Sequence, residues 1–309
     1  MTKAAVPALP EQNARMATWR TGTSGWRYPP WRGVFYPTGL AQRRELEYLS
    51  RAVSSIEING SFYSFQTAWP SWRAETPEGF LFSVKGPRFV THMKQLKDVR
   101  VPVANFFASG PLALGEKLGP ILWQLPPRML FRPDRMRAFL ELLPHSTSAA
   151  AELAKEHDER IEHPVQATPP DTADRPLRHT IEVRHDSFRD PAFLDLLREH
   201  GVGLVVADTA GKWPFLTDVT ADFVYCRLHG AEELYVSGYT PDALDAWAER
   251  IRGWLDRDLD VFVYFDYHPA RDLGQRRGKY RGNQVSRAAD DCSALQARRT
   301  GGNLANKVR

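Results

Sequence analysis

Ten residues that could do chemistry stand at or just past the ends of short apolar runs: Glu57, Asn59, Lys85, Gln124, Glu182, Arg184, Asp208, Arg227, His229 and Asp266. Carboxylates beside imidazoles suit general acid–base work, while lysine and arginine suit negative charge on oxygen. Burying four acids with three permanent cations is costly unless they pair. A charge-balanced network that only fills space is one reading; the number of ionisable groups favours a functional site. Glu182, Asp208, His229 and His185 are the candidates for catalytic acid–base duty. Lys85, Arg184, Arg227, Glu57, Asn59 and Gln124 are candidates for holding a substrate. Ser24 joins them in the turn Thr23-Ser24-Gly25-Trp26, whose backbone N–H groups suit an anion, and Trp26, Tyr28 and Tyr239 offer flat stacking surfaces. The near balance of charge opposes a two-metal centre. A single divalent ion on Glu182, Asp208, His229 or Asp266 is the cofactor this set allows. His92, His157 and His163 read as structural or exposed.

The elements that must position these residues are eight runs: Trp19–Thr23, Ser54–Ile58, Leu81–Lys85, Ile121–Gln124, Thr180–Arg184, Leu204–Asp208, Phe223–Arg227 and Val261–Asp266. Helix-like stretches lie between most of them. Strand and helix alternating eight times predicts an α/β fold of the single (β/α)8 TIM-barrel type, with chemistry at the C-terminal ends of the strands. Side chains alternate faces along a strand, so the polar set opposite the β-branched set should line the interior near that rim. His229-Gly230 then falls near the phosphate position common after strands 7 and 8.

Helices are expected over 39–53, 68–76, 111–118, from a cap at Asp134 to Leu143, and over 147–161. Residues 87–110 read as a long connection. Asp190 with Pro191, and Thr240 with Pro241, are capped helix starts, and Gly201 marks a helix end. The connection 209–222 leaves room for little more than a turn. Residues 1–16 read as a loose arm, 17–266 as the barrel and 267–309 as a basic, Gly/Arg-rich tail lacking a packed eighth helix.

The net charge of +4 misleads until it is divided. The stretch from Tyr267 holds ten Lys/Arg against three Asp/Glu, whereas the other 266 residues are slightly acidic. A basic tail of this kind is usually a solvated end; the alternative is nonspecific affinity for nucleic acid. No run approaches the ~20 apolar residues that span a bilayer, and the start lacks the apolar core of a secretory signal. With only Cys226 and Cys292 available, a disulfide framework is excluded, and free thiols in a cytoplasmic protein are expected.

An ordered set of rim segments resembles the YecE-like family, the domain-of-unknown-function group numbered 72. It runs through Gly22-Thr23-Ser24-Gly25-Trp26, Glu57-Ile58-Asn59, Phe82-Ser83-Val84-Lys85 with Thr91-His92, and Gln124-Leu125-Pro126-Pro127. Glu182-Val183-Arg184-His185, Arg227-Leu228-His229-Gly230 and Tyr264-Phe265-Asp266 continue it. The resemblance implies a TIM barrel and no assigned reaction. The family pattern continues after strand 8 with Asp-Asn-Asp and a closing helix; here Tyr267-His268 and the basic stretch follow, as a shifted reading frame would produce.

Three functions fit these residues. The first is binding or hydrolysis of a phosphorylated or nucleic-acid substrate. A sugar isomerase or glycoside hydrolase is the second, and noncatalytic binding of an anionic metabolite the third. The expected partner is a small anionic ligand; a membrane is not expected.

Overall fold

Eight parallel strands close into a barrel in chain order: β1 Trp19–Ser24, β2 Ser55–Ile58, β3 Leu81–Lys85, β4 Leu118–Gln124, β5 His179–Glu182, β6 Gly203–Asp208, β7 Phe223–Leu228 and β8 Asp260–Phe265. This computed structural model describes residues 16–165, 173–230, 239–266 and Ala294. The seam is β1 against β8, paired from Trp19 with Val261 to Thr23 with Phe265. The first and last strands thus complete one another's hydrogen bonding, and no edge is left exposed. The arm before Met16, the tail from Tyr267 apart from Ala294, and Tyr235 lie outside the described residues, Cys292 among them.

Alternation divides the apolar residues as the strand period requires. Val224, Cys226 and Leu228 of β7 and Val261, Val263 and Phe265 of β8 belong to the outer core, which packs under the helices. Tyr225, Phe262 and Tyr264 instead fill the barrel with Leu122, Val205, Ala207 and Phe223. Above this plug the interior turns polar. The Tyr264 hydroxyl lies 2.6 Å from Ser55 Oγ and 2.7 Å from Ser83 Oγ, and Tyr225 donates to Glu57 at 2.6 Å.

The outer layer holds α1 Glu45–Leu49, α2 Trp69–Glu75, α3 Arg100–Ala108, α4 Pro133–Leu142, α5 Thr147–Ala154, α6 Pro191–Glu199 and α7 Pro241–Leu255. The caps read from sequence are in place. Asp190 accepts from the Ala192 N–H and Thr240 from the Ala243 N–H, and Gly201 takes the left-handed conformation past α6. No helix is described between β6 and β7.

Other expectations are corrected. The stretch expected as a connection contains a π-helical turn, Phe89–Met93, and α3. That helix is buried on nearly every side from Pro102 to Ala108, so it has no polar face to mark its period. The helix expected over 111–118 is a 3-10 segment, Pro111–Lys117, interrupted where Gly115 takes positive φ. The cap of α4 is Arg132; Asp134 lies within the first turn, where its charge suits the helix dipole. The helix begun at Thr147 stops at Ala154, and α1 forms only after a 3-10 turn at Gln42–Arg44. Among the described residues no helix is long and apolar enough to cross a membrane.

Candidate functional site

Arg227, on β7, is fully buried at the centre of the polar layer. Its Nε donates to Glu57 Oε2 at 3.0 Å and Nη2 to Glu57 Oε1 at 2.8 Å, a bidentate pair across the barrel. Nη1 donates to Glu182 Oε2 at 2.6 Å, and Nη2 also reaches Asp266 Oδ2 at 2.6 Å. One guanidinium therefore gathers carboxylates from β2, β5 and the end of β8. An unpaired charge here would be expensive, and the fork geometry lets one arginine satisfy three acids. Arg227 was expected to hold a substrate anion; its donors are directed instead at Glu57, Glu182 and Asp266.

The carboxylates are equally committed. Glu57 also accepts from Ser24 Oγ at 3.0 Å on one oxygen and from the Tyr225 hydroxyl on the other. Both Glu182 oxygens accept from the Gln124 amide, at 3.0 and 2.9 Å, and Oε1 accepts from Arg184 Nε at 2.7 Å. Burial alone would raise the Glu182 pKa, but Arg184 and Arg227 overcome it and hold the carboxyl well below the usual carboxylate range. Burial works against the charge of Arg227 too, and its three acids more than restore it.

Two cations are used differently. Lys85, at the end of β3, is 8% exposed, and its ammonium makes no hydrogen bond or ion pair among the described residues; Nζ lies 4.3 Å from the Phe62 ring centre. Burial, then repulsion from Arg227, lowers its pKa to about 8. Arg184 bonds Glu182 through Nε and lays its guanidinium 3.8 Å from the centre of the Trp213 ring. Its two terminal nitrogens meet no acceptor among the described residues.

Two imidazoles border the cations of the rim, His92 those of Lys85 and Arg184 and His229 that of Arg227. Burial and then Lys85 and Arg184 lower the His92 pKa to about 4, while its Nδ1 lies 2.9 Å from Thr91 Oγ1. Burial, followed by Arg227, also lowers His229, whose Nε2 is 3.4 Å from Arg227 Nη1 and whose Nδ1 is 3.3 Å from Asp266. Sequence reasoning passed over His92 and Trp213. The signal for His92 was the family segment Thr91-His92, which the structure places in the π-helical turn after β3; Trp213 sits in an irregular connection with no pattern to reveal it.

The remaining candidates separate. Asp208 does not join the ring around Arg227. Val205 and Ala207 are the residues of β6 that enter the barrel, so Asp208 has the outer parity, and it accepts from the Tyr239 hydroxyl at 2.9 Å. Consecutive Val205 and Val206 had left the β-branched rule without a preferred face. His185 caps a 3-10 turn, Asp186–Arg189, through Nδ1, which accepts from the Ser187 N–H at 3.1 Å. Asn59 donates to the Ser24 carbonyl, as does Tyr28. Trp26, Tyr28 and Asn59 line a cleft of about 790 Å³ with Gly60, Tyr63 and Trp72. Phe62 connects its wall to Lys85, with its ring 5.0 Å from that of Tyr63.

The residues named for a divalent ion are divided in the structure. Arg227 puts a fixed positive charge among Glu57, Glu182 and Asp266, and Asp208 stands apart. Among the described residues no three His, Cys, Asp or Glu side chains converge as ligands.

Comparison with known proteins places this architecture. A crystal structure of a DUF72 family protein from Thermotoga maritima is 25% identical, with a TM-score of 0.66 over 90% of this chain and 99% of that one. A DUF72 family protein from Enterococcus faecalis is 18% identical, with a TM-score of 0.64 over 92% of this chain and 96% of its own. Among curated proteins no relative matches. The family model described as "Protein of unknown function DUF72" matches residues 20–290, continuing past Asp266, where the sequence had suggested a break from the pattern. This chain belongs to the DUF72 family of TIM-barrel proteins.

Proposed function

We propose that the C-terminal rim binds a small phosphorylated, or similarly strongly anionic, molecule, and that Lys85 and the outer edge of Arg184 receive its charge. The observation that carries this reading is the unequal use of the cations. Among the described residues three acids engage Arg227, one touches Arg184 at a single nitrogen, and none pairs with Lys85. A phosphate supplies the acceptors that these two lack, a planar edge meeting a point charge. The aromatic cleft, joined to Lys85 through Phe62 and Tyr63, suits a flat organic remainder such as a sugar ring or a base.

Glu182 is ionised and has both oxygens engaged, so it holds Arg184 and Arg227 in position and is a poor proton donor or base. Hydrolysis at this site would rest on charge stabilisation by the cations, with a neutral imidazole, His229 or His92, accepting a proton from water. A sugar-directed reaction is favoured by the cleft alone. It needs one carboxyl protonated and another ionised, and both Glu57 and Glu182 are tied to Arg227.

Titration calorimetry with inorganic phosphate, a sugar phosphate, a mononucleotide and the unphosphorylated sugar tests this reading. The phosphorylated compounds should bind wild type, and Arg184→Met should weaken them by roughly ten-fold, about 1.4 kcal/mol, or more. If the unphosphorylated sugar binds wild type as tightly as the sugar phosphate does, and Arg184→Met weakens neither, the reading is overturned.

A further inference from the structure

We infer that Lys85 is a nucleophile that forms a Schiff base with a carbonyl compound carrying an anionic group. The inference rests on the anion-binding reading for the anionic half of the ligand and goes beyond it for the amine. An ordinary structural lysine at a barrel rim would be ion-paired or would extend its ammonium into water. Lys85 makes no ion pair among the described residues, and it is over nine-tenths buried, with its Nζ over the Phe62 ring. Every acid close enough to pair with it is held by Arg227, and that same guanidinium repels a second positive charge.

The groups facing Lys85 all bear on its protonation. Burial and Arg227 disfavour the ammonium, whereas Glu57, Glu182 and Asp266 oppose them from across the barrel. The balance leaves a pKa of about 8, at which an appreciable fraction of the amine is neutral near pH 7.5. A neutral, desolvated amine is the form that attacks carbonyl carbon. Arg184, stacked on Trp213, then holds the ligand's anionic end while the carbonyl meets Nζ.

In the first step the N–C bond forms, the carbonyl π electrons pass to oxygen, and that oxygen takes the proton released by nitrogen. In the second, the nitrogen lone pair forms the C=N bond as the carbinolamine C–O bond breaks, and the departing oxygen takes the remaining N–H proton and leaves as water. The imine retains the nitrogen of Lys85, and no oxidant or reductant is consumed. His92, beside both cations and neutral, is placed to relay these protons.

Full-length protein is incubated with pyridoxal 5′-phosphate, reduced with borohydride, and mapped by peptide mass. Pyridoxal, which lacks the phosphate, serves as a parallel probe. Lys85 should be modified at least roughly ten-fold faster at pH 7.5 than the exposed Lys94 and Lys97, since its lowered pKa leaves more of its amine neutral. Its labelling rate should rise with a midpoint near pH 8. Lys85→Arg and Lys85→Met should lose this one modified peptide and no other.

Inorganic phosphate and Arg184→Met separate the two readings. If Lys85 is labelled fast by both probes, and neither phosphate nor Arg184→Met slows it, the nucleophile stands and the anion site falls. If phosphate binding is seen by calorimetry and is lost in Arg184→Met, yet Lys85 reacts no faster than Lys94, the Schiff-base inference is overturned.

Discussion

Arg227 organises the rim, and its removal should be felt well beyond the loss of one contact. Arg227→Met would leave Glu57, Glu182 and Asp266 buried without their cation. Urea unfolding at pH 7 should show destabilisation of roughly 3–5 kcal/mol. Adding Glu57→Gln, Glu182→Gln and Asp266→Asn should restore much of it; failure to do so would mean that the arginine acts by filling space. Glu182 has the usual carboxylate sign: its folded pKa lies below the unfolded value. Its contribution is present above about pH 4.5 and is lost as pH falls through the folded pKa. Lys85 has the opposite consequence at the alkaline end. Between about pH 8 and 10.5 the unfolded chain binds the more protons, so its titration makes stability climb with pH over that window. Lys85→Met should be more stable than wild type at pH 7 by on the order of 3 kcal/mol, and the advantage should vanish above pH 10.5. A less stable variant at pH 7 would show that the ammonium has a good partner.

Of the residues on this rim, Glu57, Lys85, Gln124, Glu182 and Arg227 were legible because each obeys strict alternation on its strand. Asp208 was not, since two adjacent valines in β6 erase the distinction between faces. Which cation would be consumed and which left open was invisible too. That depends on how long side chains from sequence-distant strands reach across the barrel.

Among the elements, caps and turn glycines were the clearest signals, because each satisfies a local backbone demand that only a few residue types can meet. Asp190→Ala and Thr240→Ala should each cost about 1 kcal/mol in thermal or urea unfolding. Since they cap separate helices, the double variant should lose the sum. Helix α3 escaped notice for the converse reason: an element buried all round presents no alternation of polar and apolar faces. Two glycines give opposite expectations. A Cβ at Gly22 would sit 1.8 Å from the Ser55 carbonyl oxygen, in the backbone of the neighbouring strand. Gly22→Ala should therefore disrupt the pairing of β1 with β2 and abolish folded protein in circular dichroism. A Cβ at Gly253, in α7, meets nothing within 4 Å. Gly253→Ala should stabilise by roughly 0.5–1 kcal/mol. A stable Gly22→Ala barrel would contradict the register given for the first two strands.

At the scale of the molecule, the polar residues at the strand ends are meaningful only because barrel closure brings those eight ends together. The chain order of strands, the aliphatic and aromatic plug and the polar layer above it all follow from period-two alternation applied eight times. The chemistry does not follow in the same way, because the same barrel supports unrelated reactions and only the charges on its rim distinguish them. Here those charges divide into a closed cluster around Arg227 and an open pair, Lys85 and Arg184. A crystal of the protein soaked with phosphate examines that division directly. The account predicts an anion in contact with Lys85 Nζ and the terminal nitrogens of Arg184, with the Arg227 cluster unmoved. Phosphate seated on Arg227 after displacing a carboxylate, or Lys85 found paired with Glu57 or Glu182 and the rim empty, would contradict it.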